Sequence, residues 1–247
     1  MAAMTFGSLY AGVGGDALGL ARAGWSPRWY AERDAWRARV FGRHWPAAEW
    51  IGDVGAAASV RDLPEVDLIV ADPPSHDPCW YESVFGAVDR ARPRALLFRA
   101  GLRCGDAFAG AFRRLGYRGV GFDLKVDVEY ALWGGRLRRG AGLLIALRDG
   151  EDALLSAILD RGVEVVSAPA TGPPPGTLVE VVEMLAGFPV GYTCACPPGT
   201  GACGETSARL VAVNEAVNPA VAEWAGREIA KLLALARDEK GAAACPS

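Results

Sequence analysis

Glycines and carboxylates recur where the strands of a predicted parallel sheet end. The run Tyr10-Ala-Gly12-Val-Gly14-Gly15 follows a predicted strand and precedes a predicted helix, an arrangement in which glycines let the backbone approach a nucleotide-like ligand. Glu32 ends the next strand, where a carboxylate can accept hydrogen bonds from ribose hydroxyls. Asp53 follows the third βα unit, placed to meet an adenine amino group, and Asp72-Pro73-Pro74 closes the fourth strand. Because these strand ends share one edge of an open α/β sheet, the spacing predicts a ligand site there.

Each of these residues also has a purely structural interpretation. Gly14 and Gly15 can shape a tight turn, Glu32 can be a surface charge, and Asp53 can cap a turn. Their joint order and spacing favour the ligand site over several unrelated structural roles.

Short β-like runs alternate with helical patterns, which predicts an α/β fold with an open, mostly parallel sheet. Strands are predicted at residues 5–10, 28–31, 66–71, 95–98, 117–128 and 142–148, with a strand or turn ending at Asp53. Helices are predicted at residues 16–23, 35–44, 84–90, 105–115, 153–160 and 219–237. Residues 1–165 are expected to form the cofactor-binding domain, 166–182 a Pro/Gly-rich linker, 183–240 a C-terminal part that packs back on the same domain, and 241–247 a flexible tail.

The charge balance excludes a global positive field. Lys and Arg total 26 against 29 Asp and Glu, a net charge of −3, so any contact with DNA must be local. The nearest basic stripe contains Arg136, Arg138, Arg139 and Arg148. It can contact phosphates or form an ordinary solvated surface.

No signal peptide or membrane span is visible, and we expect a cytoplasmic protein that has no membrane partner. The six cysteines are therefore predicted to be reduced thiols. Cys194, Cys196 and Cys203 could bind zinc, but their spacing lacks the paired C-x2-C knuckles of common structural sites. No metal is predicted.

Four N-terminal segments carry a resemblance to a known family: residues 8–25, Tyr30-Ala-Glu-Arg-Asp34, Gly52-Asp53-Val54 and Ala71-Asp-Pro-Pro74. They resemble the opening motifs of the DNA cytosine-5 methyltransferases. Leu185-Ala-Gly-Phe-Pro189 with Gly191-Tyr192-Thr193 resembles the family's penultimate motif, and residues 216–224 resemble its last. The resemblance is collinear from residue 5 to about residue 235.

The resemblance implies a methyltransferase with a Rossmann-like fold that binds S-adenosylmethionine. It places Tyr10 near the adenine, the backbone of residues 12–15 around the methionine part, Glu32 on the ribose and Asp53 on the adenine. Further cofactor-site residues implied in this way are Asp72, Pro74 and Val217. In the family, a cysteine after the Pro-Pro pair attacks C6 of a flipped-out cytosine and makes C5 nucleophilic enough to take the methyl group.

The sequence departs from the family pattern at the catalytic positions. Ser75 stands where the nucleophilic cysteine is expected, and a hydroxyl is far less ionised near neutral pH than a thiol. His76 is adjacent, but neighbouring side chains on an extended segment point apart. Cys79 is either a relocated nucleophile or a buried inert thiol. The motif glutamate is expected at residues 98–100, where Phe98 replaces it.

Two further departures concern DNA recognition. The family's arginine-containing eighth motif is blurred, with Arg138 and Arg139 retained as candidate catalytic residues. Residues 149–184 leave almost no room for a target-recognition domain, so residues 166–182 are interpreted as its vestige. Recognition of DNA is therefore expected to be weak or assisted by a partner.

Three hypotheses remain open. The favoured one is a cofactor-binding pseudoenzyme that docks on an active methyltransferase or another DNA-acting protein. The second is an active, divergent cytosine-5 enzyme of the restriction-modification or phage kind, which uses Cys79 or a partner's residue. The third is an amino-methylating DNA methyltransferase, because Asp72-Pro73-Pro74 half resembles the Asp-Pro-Pro-aromatic tetrapeptide of those enzymes.

Overall fold

The computed structural model describes residues 4–55, 63–73, 80–99, 105–130, 135–148, 176–194 and 206–243. The strands of these residues are β1 Met4–Leu9, β2 Trp25–Ala31, β3 Glu49–Trp50, β4 Leu68–Ala71, β5 Ala95–Arg99, β6 Tyr117–Tyr130 and β7 Gly135–Arg148. They form one sheet in the order β3-β2-β1-β4-β5-β7-β6. The first five strands are parallel, and β7 is antiparallel to both β5 and β6. The predicted mostly parallel α/β sheet is confirmed.

Helices cover both faces of this sheet. Their bounds are α1 Gly15–Arg22, α2 Ala35–His44, α3 Trp80–Ala91, α4 Gly105–Arg114, α5 Leu178–Leu185, α6 Thr206–Glu215 and α7 Pro219–Ala243. Leu20 of α1, Phe41 of α2 and Ile229 of α7 share one buried cluster. Val88 of α3 and Phe112 of α4 belong to the cluster on the opposite face. This layering buries the central strands on both sides and leaves their carboxyl ends as the edge for a site.

The last helix packs closely against the first. A Cβ atom added at Gly19 would lie 2.1 Å from the carbonyl oxygen of Pro219. Trp25, at the start of β2, donates its Nε1 hydrogen to the carbonyl of Gly226 at 3.0 Å. The C-terminal helix therefore supports the helix that follows the glycine run.

The structure corrects the predicted bounds of two strands. β3 ends at Trp50 and does not reach Asp53. β7 begins at Gly135 rather than residue 142, because it pairs continuously with β6 from Tyr130↔Gly135 to Tyr117↔Arg148. Cross-strand pairing stabilises this glycine- and arginine-rich segment as a strand despite its weak local preference.

Helices also occur where none was predicted. α5 begins at Leu178, inside the range expected to be a linker, because Thr177 and Glu180 form a capping box at its N-terminus. α6 was missed, and α7 continues to Ala243, into the segment expected to be a tail. The predicted helix at residues 153–160 lies outside the described residues.

Candidate functional site

The glycine run forms a tight turn between β1 and α1. Tyr10, Gly12 and Gly14 have φ angles of 56°, 54° and 87°, and the N–H of Gly14 donates to the carbonyl of Ala11 at 2.9 Å. A Cβ atom at Gly14 would lie 2.5 Å from the Trp45 ring, whereas one at Gly12 would meet no atom within 4 Å. Gly14 is therefore required by both conformation and space, and the backbone at Gly12 faces open space.

The start of α1 lies against the segment before α7. A Cβ atom at Gly15 would be 2.3 Å from the carbonyl oxygen of Val217, whose side chain is buried in the core. Gly14 caps the helix without a side-chain hydrogen bond, so the first-turn N–H groups receive no side-chain acceptor from the cap. Such a helix start suits an anionic group of a ligand.

Glu32 connects the glycine turn to the end of β2. Its Oε2 accepts the N–H of Gly12 and its Oε1 accepts the N–H of Asp34, both at 2.8 Å. The residue is only 8% exposed, so the surface-charge interpretation is wrong. A carboxylate has about four acceptor positions, and within the part of the chain that the structure describes these two N–H groups occupy two of them.

Asp53 is exposed, and the residue before it is hydrogen-bonded to the backbone of Glu32. The N–H of Glu32 donates to the carbonyl of Gly52 at 2.7 Å, and Asp53 Oδ1 accepts the N–H of Gly55 at 3.1 Å. Asp53 therefore does cap a turn, and the backbone of that turn is hydrogen-bonded to the backbone of Glu32. Trp50 is half exposed and donates its Nε1 hydrogen to the carbonyl of Glu32 at 3.0 Å.

The carboxyl ends of β4 and β5 carry an ion pair. Arg99 Nη1 donates to Asp72 Oδ2 at 2.9 Å and to the carbonyl of Glu215 at 2.8 Å. Burial raises the pKa of Asp72 to about 6, although the charge and hydrogen bond of Arg99 oppose the rise and Glu215 adds to it. Asp72 is therefore mostly a carboxylate at neutral pH.

Asp16 is a site residue that the sequence reasoning missed. It lies in the first turn of α1 and is only 7% exposed. Burial, and then the charge of Asp72, raise the pKa of Asp16 to about 8, while Arg99 lowers it. Its signal in the sequence is an acidic residue directly after the Gly14-Gly15 pair, in a helix that must pack against the core.

Phe98 and Arg99, both within the range where the motif glutamate is expected, have different surroundings. Phe98 is fully buried and packs against Phe112 with ring centroids 4.8 Å apart. Since successive strand residues face opposite sides of a sheet, it is the next residue, Arg99, that contacts Asp72 at the strand end. Of these two residues, Arg99 is the one that reaches the carboxyl ends of the strands, and the replacement of the motif glutamate by Phe98 stays a prediction.

The remaining predicted catalytic residues are described in part or not at all. Pro74, Ser75 and Cys79 lie outside the described residues. Arg138 and Arg139 lie on β7, in register with Asp127 and Val126 of β6.

The antiparallel pairing tells where this part of β7 lies. β7 pairs with β5 from Leu147, opposite Ala95, to Leu143, opposite Arg99. Residues 135–142 of β7 therefore continue past the carboxyl end of β5. At about 3.3 Å per residue, Arg139 lies on the order of 13 Å beyond the level of Arg99, toward the same edge as the glycine turn.

Comparisons with known proteins agree with this geometry. The chain resembles, at 12% identity and a TM-score of 0.62, a structure described as a DNA modification methyltransferase encoded within an E. coli prophage; 93% of this chain and 99% of that one are covered. It resembles the S. pombe Dnmt2 methyltransferase at 10% identity and a TM-score of 0.60, with the same coverage. Among curated proteins, no sequence matches significantly.

The order of the seven strands and the near-complete coverage of both structures show that the chain has the α/β fold of these methyltransferases. Residues 4–100 match the sequence model of the C-5 cytosine-specific DNA methylase family. The resemblance inferred from the motifs is thus confirmed. Within the described residues, no helix is both long and apolar enough to cross a membrane.

Proposed function

We propose that the chain is a DNA cytosine-5 methyltransferase-like protein that binds S-adenosylmethionine and does not methylate DNA on its own. The observation that carries the proposal is a contrast between two halves of one sheet edge. The half formed by β1 and β2 has a glycine turn and a carboxylate that suit a cofactor, whereas the half formed by β4 and β5 has the ion pair between Asp72 and Arg99.

The cofactor half is supported by residues that suit each part of S-adenosylmethionine. The open backbone at Gly12 and the start of α1, which has no side-chain cap, suit the methionine part. The free acceptor positions of Glu32 suit the ribose hydroxyls, and Asp53 lies next to it for the adenine amino group. When bound, the cofactor supplies an electrophilic methyl group.

The catalytic half lacks the groups that activate cytosine. Ser75 is a poor nucleophile toward C6 because its hydroxyl is hardly ionised at neutral pH. The end of β5 presents Arg99, which neutralises Asp72 instead of holding the cytosine edge with a carboxylate. A bound cofactor is therefore retained without transfer.

DNA remains the partner that the family indicates. The overhanging part of the β6–β7 ribbon brings Arg138 and Arg139 toward the ligand edge, and a two-stranded ribbon has the width to enter a major groove. With a net charge of −3, nonspecific affinity for DNA is weak. An active methyltransferase or another DNA-acting protein would supply the missing recognition and catalysis.

A titration combined with a transfer assay tests this proposal. The purified chain is titrated calorimetrically with S-adenosylhomocysteine and incubated with methyl-labelled S-adenosylmethionine and mixed-sequence DNA, beside a Cys79→Ala variant. Binding without incorporation supports the proposal. Incorporation that is lost in Cys79→Ala indicates an active enzyme with a relocated nucleophile, and absence of binding refutes the cofactor half.

A second candidate function, methylation of an exocyclic amine, is favoured by the geometry of Asp72. Within the described residues, only Oδ2 is engaged, by Arg99, so Oδ1 can accept a hydrogen bond from a target amine. Ser75 takes the place of the aromatic residue in the corresponding tetrapeptide. This function predicts incorporation that survives Cys79→Ala, with the label on an exocyclic nitrogen.

A further inference from the structure

The hydroxyl of Tyr192, a residue in the C-terminal part of the chain, contacts the glycine turn. It donates to the carbonyl of Gly14 at 3.1 Å, across a separation of 178 residues. Tyr192 is only 4% exposed, and burial raises the pKa of its phenol well above the ordinary value. The phenol is therefore a permanent donor to the residue that caps α1.

The ring of Tyr192 is itself fixed by its neighbours. It stacks on His44 with centroids 4.0 Å apart and an angle of 6° between the planes, and His44 Nε2 lies 2.9 Å from the carbonyl oxygen of Tyr192. Phe188 contacts the same ring at 4.8 Å. The two contacts with His44 thus join the loop that contains Tyr192 to the C-terminal end of α2.

The buried carboxylate of Glu183 binds the backbone of this loop on both sides of Tyr192. Glu183 accepts the N–H of Gly191 at 2.6 Å and the N–H of Thr193 at 2.9 Å, which are the two neighbours of Tyr192. Arg209 of α6 neutralises Glu183 at 2.9 Å, and both side chains are buried. The position of the Tyr192 hydroxyl is therefore determined by α5 and α6 as well as by its own loop.

We infer that Tyr192 is a positioning residue for the ligand of the glycine turn: by holding the Gly14 carbonyl, it sets the backbone geometry of residues 10–15 and hence the affinity for the cofactor. The inference rests on the proposed cofactor site. It also makes the C-terminal segment a determinant of cofactor binding, although that segment lies far away in the sequence.

A Tyr192→Phe variant removes only the hydroxyl and keeps the ring. Tyr117→Phe is the matched control, because the Tyr117 hydroxyl also donates to a backbone carbonyl, that of Pro93, at 2.7 Å in a buried position. Tyr117 pairs with Arg148 at the end of the sheet opposite the glycine turn. Both variants lose one buried hydrogen bond, and only one of them loses it at the turn.

Two readouts distinguish the positioning role from general stability. We expect the dissociation constant for S-adenosylhomocysteine to rise about three- to tenfold in Tyr192→Phe, the range of one net hydrogen bond, and to stay unchanged in Tyr117→Phe. Amide hydrogen exchange in residues 10–18 should be faster in Tyr192→Phe alone.

Each outcome decides the inference. Unchanged exchange in residues 10–18 overturns the positioning role, whether or not the parent binds the cofactor. Faster exchange with an unchanged dissociation constant overturns the link to affinity. A parent chain that binds no cofactor refutes the proposed cofactor site separately. Faster amide exchange in Tyr192→Phe would then support only the role of the Tyr192 hydroxyl in fixing the glycine turn.

Discussion

Glu32→Gln tests how the glycine turn is joined to β2. Glutamine keeps the shape of the side chain but replaces one accepting oxygen with an amide donor. One of the two N–H groups that Glu32 now accepts, from Gly12 or from Asp34, then faces another donor. A hydrogen bond to a charged acceptor contributes about 1.5–3 kcal/mol. Because Glu32 is almost fully buried, water does not replace the lost partner.

The expected loss is about 2 kcal/mol in the free energy of unfolding, which lowers the Tm of a chain of this size by roughly 4–8 °C. The affinity for S-adenosylhomocysteine should fall at least about tenfold, because about 1.4 kcal/mol corresponds to a factor of ten. Thermal denaturation and titration calorimetry measure the two effects. Glu49→Gln is the control, since Glu49 is an exposed residue of β3.

The reasoning would be refuted by a Glu32→Gln protein whose Tm and affinity match those of Glu49→Gln. A loss of Tm without any loss of affinity would separate the two roles. Glu32 would then hold the turn without contacting the ligand, and the ribose assignment would be withdrawn.

Three further predictions concern packing and charge. Glu183→Gln should destabilise the fold by about 3–5 kcal/mol, because it removes the charge that neutralises the buried Arg209. Urea denaturation measures this, and a loss below about 1 kcal/mol would contradict it. Gly19→Ala should destabilise by about 1–3 kcal/mol because its Cβ has no space, whereas Gly110→Ala, with open space around it, should stabilise by about 0.5–1 kcal/mol. Because the pKa of Asp16 is raised to about 8, the folded state retains a proton that the unfolded chain loses near pH 4, so stability falls as pH rises from about 4 to 8. Asp16→Asn should gain Tm relative to the parent at pH 8 more than at pH 5, and an equal difference at both values would refute the assignment.

Much of the proposed cofactor site at the ends of β1 and β2 follows from the local sequence. Adjacent residues specify three of its features: the glycine run, the carboxylate at the end of β2 and the helix Ala35–His44. A strand, a tight turn and a helix start each depend on a few adjacent residues, so their chemistry can be recognised without knowledge of the rest of the fold. The mostly parallel sheet follows from their alternation.

The other half of the edge depends on the tertiary structure. Whether Phe98 or Arg99 reaches the site is decided by which face of β5 lies against α3 and α4, and the local sequence does not contain that information. The raised pKa of Asp16 depends in the same way on burial beside Asp72.

The hold of Tyr192 on Gly14 joins residues 178 positions apart. Long-range contacts of this kind are specified by the packing of whole elements. The sequence by itself thus determined the class of fold and the turn and strand ends to which we assign the cofactor, because local patterns encode turns and strand ends. The tertiary structure alone decided which charges meet at the carboxyl ends of β4 and β5, because burial and strand orientation arise only when distant elements pack together.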